Sequence, residues 1–200
     1  MHVREFIETY YPEYYSWNSY PAHMTAAFCK VKDEWGIFSN FAQTPLTVNG
    51  VTFHSAESLF QMMKFTDAEA RKTIFALKGQ GLKMQAKHFE KTVGVREDWG
   101  RIIVDVLKFC LMAKYEQSED FRRELERSRG RFIVEDQTSF SKKTADTYGA
   151  KLSSDGTIYE GPNLMGRLLM ELRDSGKLEH DLPTDILCFN DLVYGRDKGV

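Results

Sequence analysis

Pro45-Leu46-Thr47-Val48-Asn49-Gly50-Val51-Thr52-Phe53-His54-Ser55-Ala56-Glu57-Ser58-Leu59-Phe60-Gln61-Met62-Met63-Lys64-Phe65 decides how the rest of the chain is read. Asn49-Gly50 stands between β-branched runs, and a type I′ turn needs positive φ at both central residues, which this pair tolerates best; a β-hairpin is predicted. A helix follows just after Ser55, whose hydroxyl can accept from free backbone N–H groups, with Glu57 in the first turn where the helix dipole favours an anion. Ala56, Leu59, Phe60 and Met63 form its apolar stripe. Glu57, Gln61 and Lys64 recur at i, i+4 and i+7 on another face, and such a row is ordinarily a solvated helix surface.

Further along the chain the pattern stays helical. Asp67 is placed to cap a helix reaching Leu77 and stopping at Gly79, and Leu82 to Lys91 reads as another, bounded by glycines. The longest helix is predicted from about Arg96 to Gln117, with Trp99, Ile103, Val106, Cys110 and Ala113 on one side, and Phe121 to Ser128 continues it after a break. Arg131-Phe132-Ile133-Val134-Glu135 is short and β-branched, the pattern of a buried strand ending in a carboxylate, and a polar loop follows. Asn163 then reads as the N-cap of a periodic helix carrying Leu164, Leu168, Leu169 and Leu172 and ending near Gly176. Toward the N-terminus, Val3, Phe6, Ile7 and Tyr10 suggest a short helix before Pro12, and the aromatic stretch after it has no period. Leu182-Pro183, Ile186-Leu187 and Leu192-Val193 are expected docking contacts of the C-terminal stretch. The expected fold class is α+β, a predominantly helical single domain with a small antiparallel sheet.

The chain has 200 residues, 42% of them hydrophobic and 28% charged, which suits one domain with a substantial core and not a disordered segment. With 27 Lys plus Arg against 29 Asp plus Glu, no strong positive field draws in a phosphate backbone. A nucleic-acid partner would need a local patch, for which Arg122, Arg123, Arg127, Arg129 and Arg131 are candidates against the plainer reading of a solvated helix end. Cys29, Cys110 and Cys188 are scattered and odd in number, arguing against a disulfide framework, and the five histidines show no metal-ligand spacing. No metal, no cofactor and no membrane partner is expected. The start has no apolar leader and no window approaches the roughly 18 apolar residues of a membrane span, so a cytoplasmic location is expected. Phosphate-binding and dinucleotide-binding glycine motifs are missing from the sequence.

Phe38-Ser39-Asn40-Phe41-Ala42, then the hairpin, then Ser55 to Phe65 resemble the opening motifs of the YbiA-like (NADAR) family. The similarity continues in Trp99, in Leu111-Met112-Ala113-Lys114-Tyr115, in Ile133-Val134-Glu135 and in Gly161-Pro162-Asn163-Leu164-Met165-Gly166-Arg167, in the same order. The expected organisation is a YbiA-like domain over residues 31–176, with an N-terminal extension over 1–30 packing on it and a C-terminal extension over 177–200.

The resemblance implies cleavage of an N-glycosidic bond at C1 of a ribose. The substrate it implies is either guanine-linked ADP-ribose on DNA or RNA or a ribosylamino-pyrimidine phosphate. Such a bond breaks through an oxocarbenium-like transition state, which calls for an anion near the developing charge, a proton for the leaving base and a positioned water. By matching position, Glu57 is the expected catalytic carboxylate. Lys64 is expected as a second catalytic group, either a nucleophilic amine or a phosphate clamp. Asp146 is the third, although Tyr148 stands where the family has Trp and the spacing is one residue shorter. Trp99 is expected to stack on the base unless it is a core residue. Asn40, Phe41, Gln61, Glu135 and Tyr148 are expected to bind substrate, with Glu135, at a strand end, also a candidate second acid. Asn163 and Gly166 sit at a helix start where N–H groups suit phosphate oxygens. The expected pocket is fed by the helix after Ser55, Trp99, the 136–149 loop and Asn163. The alternative is a non-catalytic module that binds ADP-ribose or NAD as a sensor.

Overall fold

A computed structural model describes residues 3–193. In chain order the elements begin with α1 (Val3–Tyr10), β1 (Asn18–Pro21), β2 (Thr25–Phe28), β3 (Leu46–Val48) and β4 (Val51–Phe53). Four helices follow, α2 (Ala56–Met63), α3 (Ala68–Ala76), α4 (Gly79–Thr92) and α5 (Trp99–Gln117), and then α6 (Glu119–Arg127). The chain continues through β5 (Phe132–Glu135), β6 (Lys151–Leu152), β7 (Ile158–Gly161), α7 (Leu164–Ser175) and the short α8 (Asn190–Val193). The class is α+β, as the pattern predicts.

Contacts group these elements into two compact units built from separated stretches of chain. One comprises residues up to Ala42 together with Glu119–Leu178; the other comprises Gln43–Ser118 together with the residues from Glu179 onward. In the second unit the hairpin forms as expected: Asn49 and Gly50 take φ values of 48° and 79°, and Leu46, Thr47 and Val48 pair with Phe53, Thr52 and Val51. Gln117, the last residue of α5, pins β3 by accepting from the Thr47 N–H and donating to the Thr47 carbonyl. Ser55 caps α2 by accepting from the Ser58 N–H, and Asp67 caps α3 by accepting from the Ala70 N–H. The helix α4 starts at Gly79, three residues before the expected Leu82.

The C-terminal stretch belongs to this unit. Phe189 packs edge-on to Phe53, Asn49 donates to the Leu187 carbonyl, and Arg71 pairs with Asp191. Ile186 and Leu192 are buried, as docking contacts would be. The side chain of Val193 and residues 194–200 of the expected extension lie outside the described residues.

The first unit holds most of the difference from expectation. The expected small antiparallel sheet is present in the order β1-β7-β6, and with it comes a separate parallel pair, β2 with β5, that was not expected. Parallel strands need a long crossover and no turn signal joins them, so the pairing leaves no local mark. Strands β1 and β2 lie before residue 31 yet pair with strands far beyond it. Pro21 ends β1 at the sheet's edge, where its missing N–H costs no ladder bond. Tyr14 donates to the Glu171 carboxylate and Arg167 donates to the Glu13 carbonyl, tying the segment after α1 to α7.

Candidate active site

The polar row of α2 is not solvated. All eight residues of the helix are buried, including Glu57 at 7% exposure and Gln61 at 6%, and Lys64 at its C-terminal end is 9% exposed. Buried charges are costly unless paired, and these are joined end to end. Gln61 Nε2 donates to Glu57 Oε1 at 2.9 Å, Lys64 Nζ donates to Gln61 Oε1 at 3.3 Å, and Lys64 Nζ donates to Glu90 Oε1 at 2.7 Å. Glu90 comes from α4 and is a residue the sequence reading missed, because on its own helix it looks like an ordinary surface charge.

Burial raises the Glu57 carboxyl above its usual range, against the opposing effects of the Gln61 hydrogen bond and the Lys83 and Lys64 charges. The shift eases protonation of this carboxyl, so a proton-donating role stands beside the expected one of a carboxylate anion. Trp99, the first residue of α5, is buried and packs edge-on to Phe60 with ring centroids 5.3 Å apart. Lys64 Nζ lies 5.6 Å from the same ring centroid, a cation–π distance. Within this unit, then, contacts run from Glu57 through Gln61 to Lys64 and from Lys64 to the Trp99 ring.

Two further groups on α5 were not singled out for chemistry. Cys110 is fully buried, and that burial pushes its thiol well up. Lys114 is 1% exposed, and burial lowers its amine to about 7. The run Leu111 to Tyr115 carried the family resemblance, but periodicity alone could not show that its lysine points inward.

The remaining candidates belong to the other unit. Asn40 is buried, with its Nδ2 at 4.0 Å from Met165 Sδ and its Oδ1 lacking a hydrogen-bond partner among the described residues. A buried acceptor left in that state is a natural contact for a ligand donor. Phe41 is half-buried, and its N–H donates to the Ser39 hydroxyl. Asp146 accepts from Gln137 Nε2 and from the Tyr148 N–H through the same oxygen, Oδ1, while its own N–H donates to Gln137 Oε1. These bonds hold the 136–149 loop together, a structural task alongside any chemical one.

Asn163 departs from its expected role. It adopts the left-handed conformation, φ 53° and ψ 43°, and its side chain makes no capping bond to α7, although its backbone carbonyl accepts from the Arg167 N–H. Its side chain reaches β5 instead: Nδ2 donates to the Ile133 carbonyl at 2.8 Å and Oδ1 accepts from the Glu135 N–H at 3.1 Å. The expected phosphate seat at this helix start is also compromised, because the Leu164 and Met165 N–H groups already donate to the Thr147 and Tyr148 carbonyls. Gly166 serves packing, since a Cβ there would lie 2.0 Å from the Ile133 carbonyl oxygen. Glu135 stands at the end of β5 as expected, and its Oε2 is buried.

The arginines considered as a nucleic-acid patch are largely matched by acids. Arg123 pairs with Asp120, Arg127 with Glu34 and Glu124, and Arg129 with Glu126. Arg127 also lies 3.7 Å from the Trp35 ring centroid. No group of three or more His, Cys, Asp or Glu residues that could hold a metal ion occurs among the described residues. No described helix is long and apolar enough to cross a membrane.

Comparison with known proteins gives a consistent result. A model of the NADAR domain matches residues 27–175. N-glycosidase YbiA of Escherichia coli is 30% identical over 152 residues, 76% of this chain and 88% of that protein. An N-glycosidase of Nostoc punctiforme is 23% identical over 153 residues, covering 76% of this chain and 92% of its own length. A riboflavin biosynthesis protein of Vibrio vulnificus is 25% identical over 166 residues, which span 82% of this chain but 41% of that larger protein. The NMR structure of E. coli YbiA superposes with a TM-score of 0.59 at 29% identity, covering 80% of this chain and 91% of that one.

Proposed function

The chain belongs to the NADAR domain family, and from that premise we propose that it is an N-glycosidase hydrolysing the C–N bond at C1 of a ribose in a ribosylated base. The observation that carries this reading is the Glu57 carboxyl, buried on α2 with its pKa raised by that burial, and accepting only from Gln61 among the described residues. As the C1–N bond breaks, its electron pair goes to the base nitrogen, and a neutral Glu57 supplies the proton to the departing base. Water then bonds to C1 and returns a proton to the Glu57 carboxylate, so the acid is regenerated.

Lys64 is better suited to holding this acid's surroundings than to clamping phosphate. Glu90 sits 2.7 Å from its amine, and a bound phosphate would bring a second anion against that carboxylate. Of the two substrates, the ribosylamino-pyrimidine phosphate is favoured over guanine-linked ADP-ribose on DNA or RNA. Arginines that would face a nucleic acid are instead engaged with acids of their own surface. A non-catalytic ADP-ribose or NAD sensor is the rival reading, and it draws on the way Asp146 is occupied in holding its loop.

The test offers wild type and Glu57→Gln both substrates and identifies products by mass. Wild type is expected to release ribose 5-phosphate, while Glu57→Gln keeps binding and loses about 10²–10⁴-fold in rate. Release of ADP-ribose instead would move the substrate assignment to nucleic acid. Binding without turnover by wild type would favour the sensor.

A further inference from the structure

The hydrogen-bond row of α2 has a direction set by chemistry. A lysine ammonium, the form that pairs with the Glu90 carboxylate, only donates, so the Gln61 atom facing Lys64 Nζ must be the carbonyl oxygen. The Gln61 NH₂ therefore faces Glu57 and donates to its Oε1. An oxygen that accepts this bond is the poorer place for a carboxyl proton, so a neutral Glu57 carries its proton on Oε2. What fixes Lys64 is Glu90, whose side chain is 38% exposed and whose carboxylate makes the shortest bond in the row.

We infer that Glu90 is a positioning residue which, through Lys64 and Gln61, determines which oxygen of Glu57 delivers the proton to the leaving base. The inference rests on the glycosidase reading for its consequence, but not for its geometry. With Glu90 absent, Lys64 is released to solvent or to the Trp99 face, and the Gln61 amide is free to turn over. Either of its ends can then meet Glu57, and the proton has two places to sit. The charged groups acting on Glu57 in this unit are Lys83 on α4 and Lys64 at the end of its own helix, and the buried Cys110 thiol on α5 lies within reach of the Glu57 carboxyl's field. Glu90 is linked to Glu57 through Lys64.

Two measurements test the inference, one with substrate and one without. Glu90→Met is expected to lower kcat by about 10-fold to 100-fold with KM changed less than about twofold, the pattern of a misplaced catalytic group. Glu90→Gln, which keeps an acceptor for Lys64, should recover part of that loss. In the double variant Glu90→Met with Gln61→Met the rate should equal that of Gln61→Met alone, because the row is already cut. Independent losses in the double variant, or an unchanged kcat in Glu90→Met, would overturn the inference.

The second measurement is proton exchange of the Gln61 side-chain NH₂, followed by NMR with Gln61→Met providing the assignment. Protection is expected to fall at least about 10-fold in Glu90→Met, since the amide is then held at one end only. Unchanged protection refutes the positioning role whatever the activity. If wild type turns over neither a ribosylamino-pyrimidine phosphate nor guanine-linked ADP-ribose while the amide still responds, the glycosidase reading falls and the role of Glu90 in placing Gln61 stands.

Discussion

Replacing Lys114 by Met offers a quantitative check on the packing of α5. Lys114 is 1% exposed, and burial brings its amine from 10.5 down to about 7. In the unfolded chain the amine holds its proton until the pH approaches 10.5, whereas the native state gives it up near 7. Between those values the unfolded state binds one more proton, so native stability rises with pH. Below 7 both states are protonated and the contribution is constant, with the full cost of the buried charge present. At about 1.4 kcal/mol per pH unit, and allowing for half-titration at pH 7, the gain from pH 7 to pH 9 is roughly 2 kcal/mol. A methionine of similar length has no such dependence. Urea unfolding at pH 6, 7, 8 and 9 should therefore show the stability of wild type, relative to Lys114→Met, flat from 6 to just below 7 and then climbing by roughly 2 kcal/mol by pH 9. Parallel stability curves for the two proteins, or a difference that falls as pH rises, would refute the burial argument.

Asn163→Ala leaves the Ile133 carbonyl and Glu135 N–H without their partners and places Ala in a left-handed conformation, so a loss of about 3 kcal/mol or more is expected in urea unfolding. Gly166→Ala forces a Cβ against the Ile133 carbonyl and should cost about as much, read as a lowered melting temperature. Asp98 is held below its usual value of 3.8, first by its hydrogen bond from Arg96, so its contribution is present above that pH and lost as the pH falls through the lower native value. The stability gap between wild type and Asp98→Asn should accordingly close only in acid below about pH 4, as measured by pH-dependent unfolding.

How much of this was legible in the sequence depends on how local the cause is. The hairpin and the start of α2 are set by Asn49, Gly50 and Ser55, each acting within three residues, and they form where the pattern places them. The parallel pairing of Thr25–Phe28 with Phe132–Glu135 joins segments separated by five helices, α2 to α6, and β6 has only two residues, too few for alternation to register. Asn163 was legible as a position and not as a role. A polar residue before an apolar periodic run looks like a cap, and only the approach of α7 to β5 shows its amide serving the strand. Glu90 and Lys114 share this problem, because the direction a helical side chain faces depends on which neighbours the helix acquires.

The helix α2 illustrates why such failures are informative. By periodicity, Glu57, Gln61 and Lys64 belong on a solvated face, where each would be inexpensive and exchangeable. In the structure they are enclosed, and a buried carboxyl and a buried amine on one short helix disfavour folding unless their hydrogen bonds are nearly complete. An apolar residue at each position would serve the core at least as well. The row is nevertheless joined from Glu57 to Glu90, with donors and acceptors running in one consistent direction. Local pattern and tertiary placement conflict here, and sites of that kind are where chemistry concentrates. The carboxyl whose pKa burial raises lies at the buried end of the row, and the carboxylate that anchors the row lies at its more exposed end. That polarity suits a proton held ready for a leaving base, and it gives a solvent-facing carboxylate a hold on the orientation of the buried one.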